Sequence, residues 1–199
     1  MNAANATSRP AGRLAGRLQT IVVIAVVAVI VGILAWSASG AGQTDGVTKV
    51  DLPADAAAAA PVVGAIPPNF SGLTYDGKAV SLADYAGKPV WLTFGASWCP
   101  DCRTESADVE ATYQANKDKG LNVLAVFINE NASDVASYAA RAGLTFPIAV
   151  DTNADIAAAY RSMGIPTHFF IGSDGKIREV RIGALSRDDM ARAVAAIVN

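Results

Sequence analysis

The only two cysteines of this 199-residue chain stand three positions apart, as Cys99 and Cys102, within the segment FGASWCPDC at residues 94–102. An apolar run typical of a strand precedes them, and a helix is predicted from Pro100 onwards. Two intervening residues on the first turn of a helix bring both sulfurs within bonding distance, so the pair can alternate between dithiol and disulfide. This spacing predicts thiol-disulfide exchange.

The two sulfurs are predicted to have different roles. Cys99 falls at the helix N-terminus, where unpaired N–H groups and the helix dipole stabilise a thiolate. Cys102 falls one turn further in and is expected to be shielded. We therefore expect Cys99 to form the mixed disulfide with a substrate and Cys102 to resolve it.

A Cys-x-x-Cys pair also occurs as half of a metal site or as a purely structural disulfide. With His168 as the only histidine, the chain cannot complete a four-ligand Cys/His zinc site. The loop between the cysteines is too short for a disulfide to stabilise much. A formal net charge of −2 and the absence of basic clusters after residue 66 argue against a nucleic-acid partner. We expect no metal and no cofactor beyond the redox-active disulfide.

The elements around the cysteines alternate between strands and helices. A hairpin is predicted around Asp76-Gly77, and a second one around Ser173-Asp174-Gly175. Apolar runs predict strands, and capping residues and glycines delimit helices. The predicted strands are Pro89–Phe94, Leu121–Ile128, Phe146–Val150, Thr167–Gly172 and Lys176–Ile182; the predicted helices are Pro100–Lys119, Ser133–Ala142, Asp155–Arg161 and one starting after Ser186. This order predicts an α/β fold with a mixed central sheet flanked by helices.

Segment 94–102, with Glu105 and the sequence Gly164-Ile165-Pro166-Thr167, resembles the thioredoxin fold and, within it, the membrane-anchored TlpA/ResA-like thiol-disulfide oxidoreductases of the AhpC/TSA superfamily. The resemblance covers residues 66–199. It implies a cis bond before Pro166, close to the sulfurs, with Ile165 and Pro166 forming the substrate-docking edge. Trp98 and Pro100 are expected to belong to the same surface. The helix and strand at 133–150 resemble the insertion of this branch.

Two acids near the cysteines bear on the chemistry. Thioredoxin has a buried acid six residues before its first cysteine, where this chain has Thr93. The ResA-like pattern implies that Glu105 acts instead, as a general base or as a brake on thiolate formation; the alternative is a solvated acid on the helix face. Asp101 adds negative charge near the sulfurs, which disfavours a thiolate and favours a reductant. The helix dipole acts in the opposite direction.

The first 65 residues account for the high apolar content of the chain. Arg9, Arg13 and Arg17 precede Leu18–Ala38, which lacks any charge. As a helix these 21 residues are roughly 31 Å long, enough for a hydrocarbon core of about 30 Å. We predict an uncleaved anchor; a cleaved signal peptide is the alternative. Three arginines before the segment place residues 1–17 in the cytoplasm and the rest outside.

The segment 39–65 is rich in Ala, Pro and Gly and shows no strand or helix pattern, which predicts a linker to a domain at 66–199. The predicted protein is thus a single-pass membrane protein with an extracytoplasmic domain, where disulfides persist. Its expected contacts are membrane lipid through the N-terminal helix, cysteine-containing secreted or membrane proteins, and, by the resemblance, a CcdA/DsbD-like electron donor.

The leading functional hypothesis is a reductive thiol-disulfide oxidoreductase that serves cytochrome c or copper-site maturation, as the family resemblance implies. The first alternative is an oxidative, disulfide-forming protein, which would carry out the same exchange reaction in the opposite direction. A copper-binding module without turnover would use the cysteines with His168, although related copper chaperones have three residues between their cysteines; a half-buried packing role is the other interpretation of His168. A thiol peroxidase is disfavoured, because peroxidatic cysteines usually stand in a Thr-x-x-Cys setting.

Overall fold

The computed structural model describes residues 22–31, 50–52, 54 and 61–198. The chain divides into two units, Met1–Asp45 and Gly46–Asn199. In the first, residues 22–31 form a helix, α1, made entirely of exposed Val, Ile and Ala. No helix in the described part of the chain is both long and apolar enough to cross a membrane. Most of the predicted anchor and much of the predicted linker lie outside the described residues.

Five strands form the central sheet of the second unit, in the order β5-β4-β3-β6-β7. β4 runs parallel to β3 and β5, whereas β6 is antiparallel to β3 and β7. Every residue of β3 is buried, which explains its continuous apolar run. The strands are β3 Val90–Gly95, β4 Asn122–Ile128, β5 Ile148–Asp151, β6 Thr167–Ile171 and β7 Ile177–Ile182.

Four helices belong to this unit: α2 Pro100–Asn116, α3 Ala132–Ala142, α4 Asp155–Ala159 and α5 Arg187–Val198. α2 ends earlier than predicted, because residues Lys117–Lys119 continue as a turn of 3-10 helix before Gly120 adopts a left-handed conformation. α3 is capped by Asn131, whose side chain accepts from the N–H of Asp134. The helix α3 and strand β5 are the insertion that the resemblance implied.

The sheet separates two apolar cores, and alternate residues of β3 enter each. Trp91 packs with residues of α2, α3 and α5 on one face. Leu92 and Phe94 pack with Phe70, Tyr160 and other side chains on the other face. Because both faces are covered, the mixed α/β class expected from the sequence is confirmed. β3 is the central strand of the sheet, and the cysteine segment follows directly after its carboxyl end.

A small second sheet precedes β3, formed by β1 Ser71–Leu73 and β2 Ala79–Ser81. The strands end at Leu73 and Ala79, so the connection is longer than the predicted two-residue Asp76-Gly77 turn. Within it Thr74 donates its N–H to the carbonyl of Lys78 at 2.8 Å, and it also forms a bridge with Ala149 of β5. Gly77 has φ 78°, as the turn requires.

Parts of the predicted linker are hydrogen-bonded to the domain. Asp51 and Ser71 exchange two backbone hydrogen bonds, and Ala65 accepts one from Ile177. Ordered packing in the described chain therefore begins before Ile66.

Candidate active site

Cys99 and Cys102 form a disulfide at the N-terminus of α2, with their Cα atoms 5.3 Å apart. Cys99 is the N-cap residue, and its Sγ accepts a hydrogen bond of 3.2 Å from the backbone N–H of Cys102. A donor held at this sulfur stabilises negative charge on it when the disulfide is reduced. The arrangement therefore favours Cys99 as the thiolate.

The predicted difference in shielding between the two cysteines is not observed in this disulfide state. Cys99 is 3% exposed and Cys102 is 7% exposed, because both pack against Ala96 and Ile165. The N–H donor at Cys99, rather than solvent exposure, distinguishes the two sulfurs.

The loop before β6 contacts the disulfide from the other side. The bond between Ile165 and Pro166 is cis, and Cys99 Sγ lies 3.8 Å from the carbonyl oxygen of Ile165. Pro166 is buried, and its carbonyl accepts from the N–H of Gly183 at 2.8 Å. The structure thus brings two of the predicted docking residues to the sulfur of Cys99.

Exposed side chains surround this junction. Trp98 is 55% exposed and Pro100 is exposed as the first residue of α2. Met163 and Ile182 are also strongly exposed, at 96% and 76%, and a Cβ at Gly164 would lie 3.7 Å from Ile182 Cγ2. Exposed apolar side chains near one junction are a candidate interaction surface. Met163 and Ile182 were not singled out from the sequence.

Glu105 is buried rather than solvated, with an exposed fraction of 5%. Its Oε2 accepts a hydrogen bond of 3.0 Å from the backbone N–H of Leu185, and its Oε1 lies 3.4 Å from Nε2 of His168. The helix-face alternative for this acid therefore does not describe its position, which is one turn inward from Cys102 on the same helix.

His168 is completely buried, not half-buried as the packing interpretation had it. Its Nδ1 accepts from the indole N–H of Trp91 at 3.2 Å and lies 3.0 Å from the hydroxyl of Thr93. In the register of the sheet, Thr93 stands directly opposite His168. Thr93, which stands where thioredoxin has an acid, thus contacts the imidazole of His168.

A small cavity of about 30 Å³ is lined by both Glu105 and Cys102. Its lining includes Cys102, Glu105, Thr93, Ser106 and Pro166. The volume is sufficient for one water molecule, which needs roughly 10–15 Å³. Cys102 and Glu105 therefore share a cavity that is large enough for one water molecule.

A second buried acid holds the loop that precedes Cys99. Glu130 accepts from the backbone N–H of Ser97 at 2.7 Å and from the Ser97 hydroxyl. Burial raises the pKa of Glu130, and the two bonds from Ser97 partly offset this rise. Glu130 follows β4, next to the end of β3. A polar residue at the carboxyl end of a parallel strand was the available signal for it.

The residues described by the structure contain no group of three or more His, Cys, Asp or Glu side chains arranged to hold a metal ion. The redox-capable group that they do contain is the Cys99–Cys102 pair.

Comparison with known proteins identifies a matching family and relatives named as thiol-disulfide oxidoreductases. Residues 63–180 match the AhpC/TSA family. The chain is 33% identical over 135 residues to the thiol-disulfide oxidoreductase ResA of Geobacillus kaustophilus, covering 68% of this chain and 78% of that protein.

Two solved structures are similar in fold. One is a thiol:disulfide interchange protein of the thioredoxin family from Chlorobium tepidum, with 30% identity, a TM-score of 0.61, and coverage of 71% of this chain and 99% of that one. The other is StoA from Bacillus subtilis, with 26% identity, a TM-score of 0.56, and coverage of 67% and 98%.

Proposed function

The chain belongs to the AhpC/TSA family and is a thiol-disulfide oxidoreductase of the ResA type, and from this we propose that it reduces disulfides in extracytoplasmic proteins while tethered to a membrane. The observation that carries the reductive direction is the burial of Glu105 one turn beyond Cys102, with an N–H donor facing each carboxylate oxygen. The proposal assigns attack to Cys99, resolution to Cys102 and proton acceptance to Glu105.

The reductive cycle begins with the dithiol form. The Cys99 thiolate attacks a substrate disulfide, which forms a bond from Cys99 Sγ to one substrate sulfur and releases the other as a thiolate. Glu105 then accepts the proton of the Cys102 thiol. The new thiolate attacks Cys99 Sγ, closes the Cys99–Cys102 disulfide and releases the second substrate sulfur. Two electrons pass from the protein to the substrate, and solvent protonates the released thiolates.

Electrostatics favour this direction. A buried carboxylate beside Cys102 disfavours additional negative charge on the sulfurs, so it destabilises the reduced form relative to the disulfide and makes the protein a stronger reductant. Asp101, exposed between the cysteines, adds charge of the same sign. The N–H of Cys102 acts in the opposite sense at Cys99. That N–H is a neutral dipole, whereas a carboxylate carries a full charge, and the proposal takes the carboxylate to have the larger effect.

Docking of the substrate is proposed at Ile165 and Pro166. The Ile165 carbonyl, 3.8 Å from Cys99 Sγ, is placed to accept a backbone hydrogen bond from an extended substrate segment. Trp98 and Pro100 would contact the same segment from the α2 side. Such backbone recognition tolerates many sequences, which suits an enzyme that acts on cysteines in different proteins.

The location follows from the sequence of the first unit. Helix α1 contributes ten residues of Val, Ile and Ala to the proposed anchor 18–38. The arginines at positions 9, 13 and 17 would stay in the cytoplasm, and the domain would face the oxidising side. A reductant there needs electrons from across the membrane, so a membrane thiol donor of the CcdA/DsbD type is the proposed partner. Apocytochrome c and copper-site proteins are proposed as substrate classes.

The copper-module alternative receives no support from the position of His168. Its Nδ1 already accepts from Trp91, and its Nε2 faces Glu105 within the core.

A trapping experiment tests the proposed substrates. The full-length Cys102→Ser protein, expressed in intact cells, lacks the resolving sulfur and should accumulate mixed disulfides through Cys99. Extracytoplasmic proteins released from it by reductant support the proposal. Equal recovery from a Cys99→Ser/Cys102→Ser control, or recovery of cytoplasmic proteins alone, would contradict it.

A further inference from the structure

We propose that His168 is a positioning residue for the resolving step: its Nε2–H orients the Glu105 carboxylate toward Cys102, and Trp91 selects the imidazole tautomer that makes this possible. The inference rests on the proposed role of Glu105 as the base for Cys102. No role in exchange is otherwise assigned to Trp91, a core residue of β3.

The placement of His168 is unusual for a packing residue. It is the only histidine in the sequence, it is fully buried, and it lies on β6 two positions after Pro166. An imidazole in an apolar core needs hydrogen-bonding partners to offset its lost hydration. Its partners here all come from elements that build the active site: Trp91 and Thr93 from β3, and Glu105 from α2.

Trp91 determines which ring nitrogen carries the proton. The indole N–H can only donate, so the Nδ1 atom that it meets at 3.2 Å must be an acceptor. Thr93 has a hydroxyl that can also donate to the same nitrogen, at 3.0 Å. The neutral ring therefore carries its hydrogen on Nε2.

That Nε2–H faces the Glu105 carboxylate. Nε2 lies 3.4 Å from Oε1, but the N–H is not well aligned with this oxygen, and Nε2 makes no fully formed hydrogen bond. The resting disulfide state therefore holds the pair in contact but not tightly bonded. Hydrogen bonds of catalytic groups are commonly long in resting structures and shorten in the reacting complex.

The two donors at Glu105 restrict its orientation. Leu185 donates to Oε2 at 3.0 Å, and His168 faces Oε1. A carboxylate that is hydrogen-bonded at Oε2 and has the imidazole against Oε1 is restricted in rotation, and it lines the same cavity as Cys102. During resolution the Cys102 proton moves to Glu105, and His168 keeps its own proton throughout. The histidine thus acts through Glu105 and does not touch the reacting sulfurs.

The test separates the two sulfur steps in the full-length protein, purified in detergent and reduced. Stopped-flow mixing with a chromogenic aromatic disulfide releases one chromophore when Cys99 attacks and a second when Cys102 resolves the mixed disulfide. His168→Gln retains an acceptor for Trp91 and a donor that reaches Glu105. His168→Asn keeps the acceptor for Trp91, but its side chain is one carbon shorter than that of Gln, so its NH2 group does not extend to Glu105. His168→Leu has neither a donor nor an acceptor.

We expect the second release to slow by about 10-fold in the Asn and Leu variants, with the first release unchanged. This is less than the roughly 10²–10⁴-fold of general acid–base catalysis, because Glu105 is still present. The Gln variant should retain most of the rate. In a Glu105→Gln background, His168→Leu should cause no further slowing, because the two residues act as one unit. Phe170→Leu is the packing control: Phe170 lies on the same strand and stacks on Trp91, with ring centroids 5.1 Å apart.

Three results would overturn the inference: a normal second release in folded His168→Asn, equal slowing in the Gln and Asn variants, or equal slowing in Phe170→Leu. Absence of the first release from the wild-type protein would instead overturn exchange through Cys99, and with it the proposed function.

Discussion

The carboxylate of Glu130 accepts a hydrogen bond from the backbone N–H of Ser97 at 2.7 Å, although 33 positions separate the two residues. The contact ties the end of β4 to the loop between β3 and Cys99. Because Trp98 and Cys99 follow directly, the buried acid fixes the path of the chain that leads into Cys99.

Glu130 should make stability depend on pH. Burial raises the pKa of Glu130 above that of an ordinary glutamate. The contribution of Glu130 to the free energy of unfolding is therefore complete below the unfolded-state pKa and is lost as pH rises through the folded-state pKa. Glu130→Gln removes this loss while its amide oxygen still accepts from Ser97. We expect the unfolding free energy of the variant to rise relative to wild type between pH 4 and pH 7 (about the range in which carboxylates titrate).

Chemical denaturation at several pH values measures this difference. Asp151, whose pKa is also raised by burial, should leave a residual pH dependence in the variant. A constant difference between Glu130→Gln and wild type across the range would contradict the prediction.

Substitution of Cys99 and substitution of Cys102 should affect disulfide reduction in different ways. Cys99→Ala removes the attacking sulfur, so insulin reduction by the full-length protein should fall to background. Cys102→Ala should still attack once and then stop as a mixed disulfide, because the resolving sulfur is missing. Mass spectrometry of the protein after reaction distinguishes the two outcomes. Turnover by Cys99→Ala at the wild-type rate would disprove the assignment.

Charge on the exposed apolar surface should weaken docking without affecting the sulfurs. Ile182 is 76% exposed and close to Gly164 in the docking loop. We expect Ile182→Glu to raise KM for a protein disulfide by about 5–10-fold, which corresponds to roughly 1–1.4 kcal/mol. The rate with a small aromatic disulfide should not change. Val62→Glu, at another exposed apolar position, is the control; equal KM values for Ile182→Glu and this control would contradict the assigned surface.

The proposed anchor is testable through charge in α1. The full-length protein should remain with the membrane fraction after an alkaline wash, and protease added to spheroplasts should degrade its domain. Lysines introduced together as Val27→Lys and Ile30→Lys should release it, since each costs about 2.5–3.5 kcal/mol at the centre of a spanning helix. Retention of this variant, or a domain protected from the protease, would argue against the proposed anchor and orientation.

Local patterns were sufficient to predict much of this fold. Continuous apolar runs identified β3 and β4 because both strands are buried on two faces. The Cys-x-x-Cys spacing identified the redox pair, and the Gly-Ile-Pro-Thr sequence led through resemblance to the loop at Cys99. These features depend on residues adjacent in sequence or on a motif of fixed form.

Contacts between segments that are distant in the sequence could not be predicted from such local patterns. His168 and Glu105 are 63 positions apart, and only the antiparallel register that sets Thr93 opposite His168 brings the imidazole over α2. Glu130 similarly reaches Ser97 because β4 lies parallel beside β3. Sequence alone gives the polarity of these residues, whereas their burial and partners depend on strand order.

The reduction potential of the Cys99–Cys102 pair tests the central claim most directly, because it measures the balance between Glu105 and the N–H donor at Cys99. Equilibration of the full-length protein with defined dithiol buffers should give a value near or below about −270 mV, and Glu105→Gln should shift it to a less negative value. A wild-type potential near about −120 mV would contradict the reductive account and identify an oxidant.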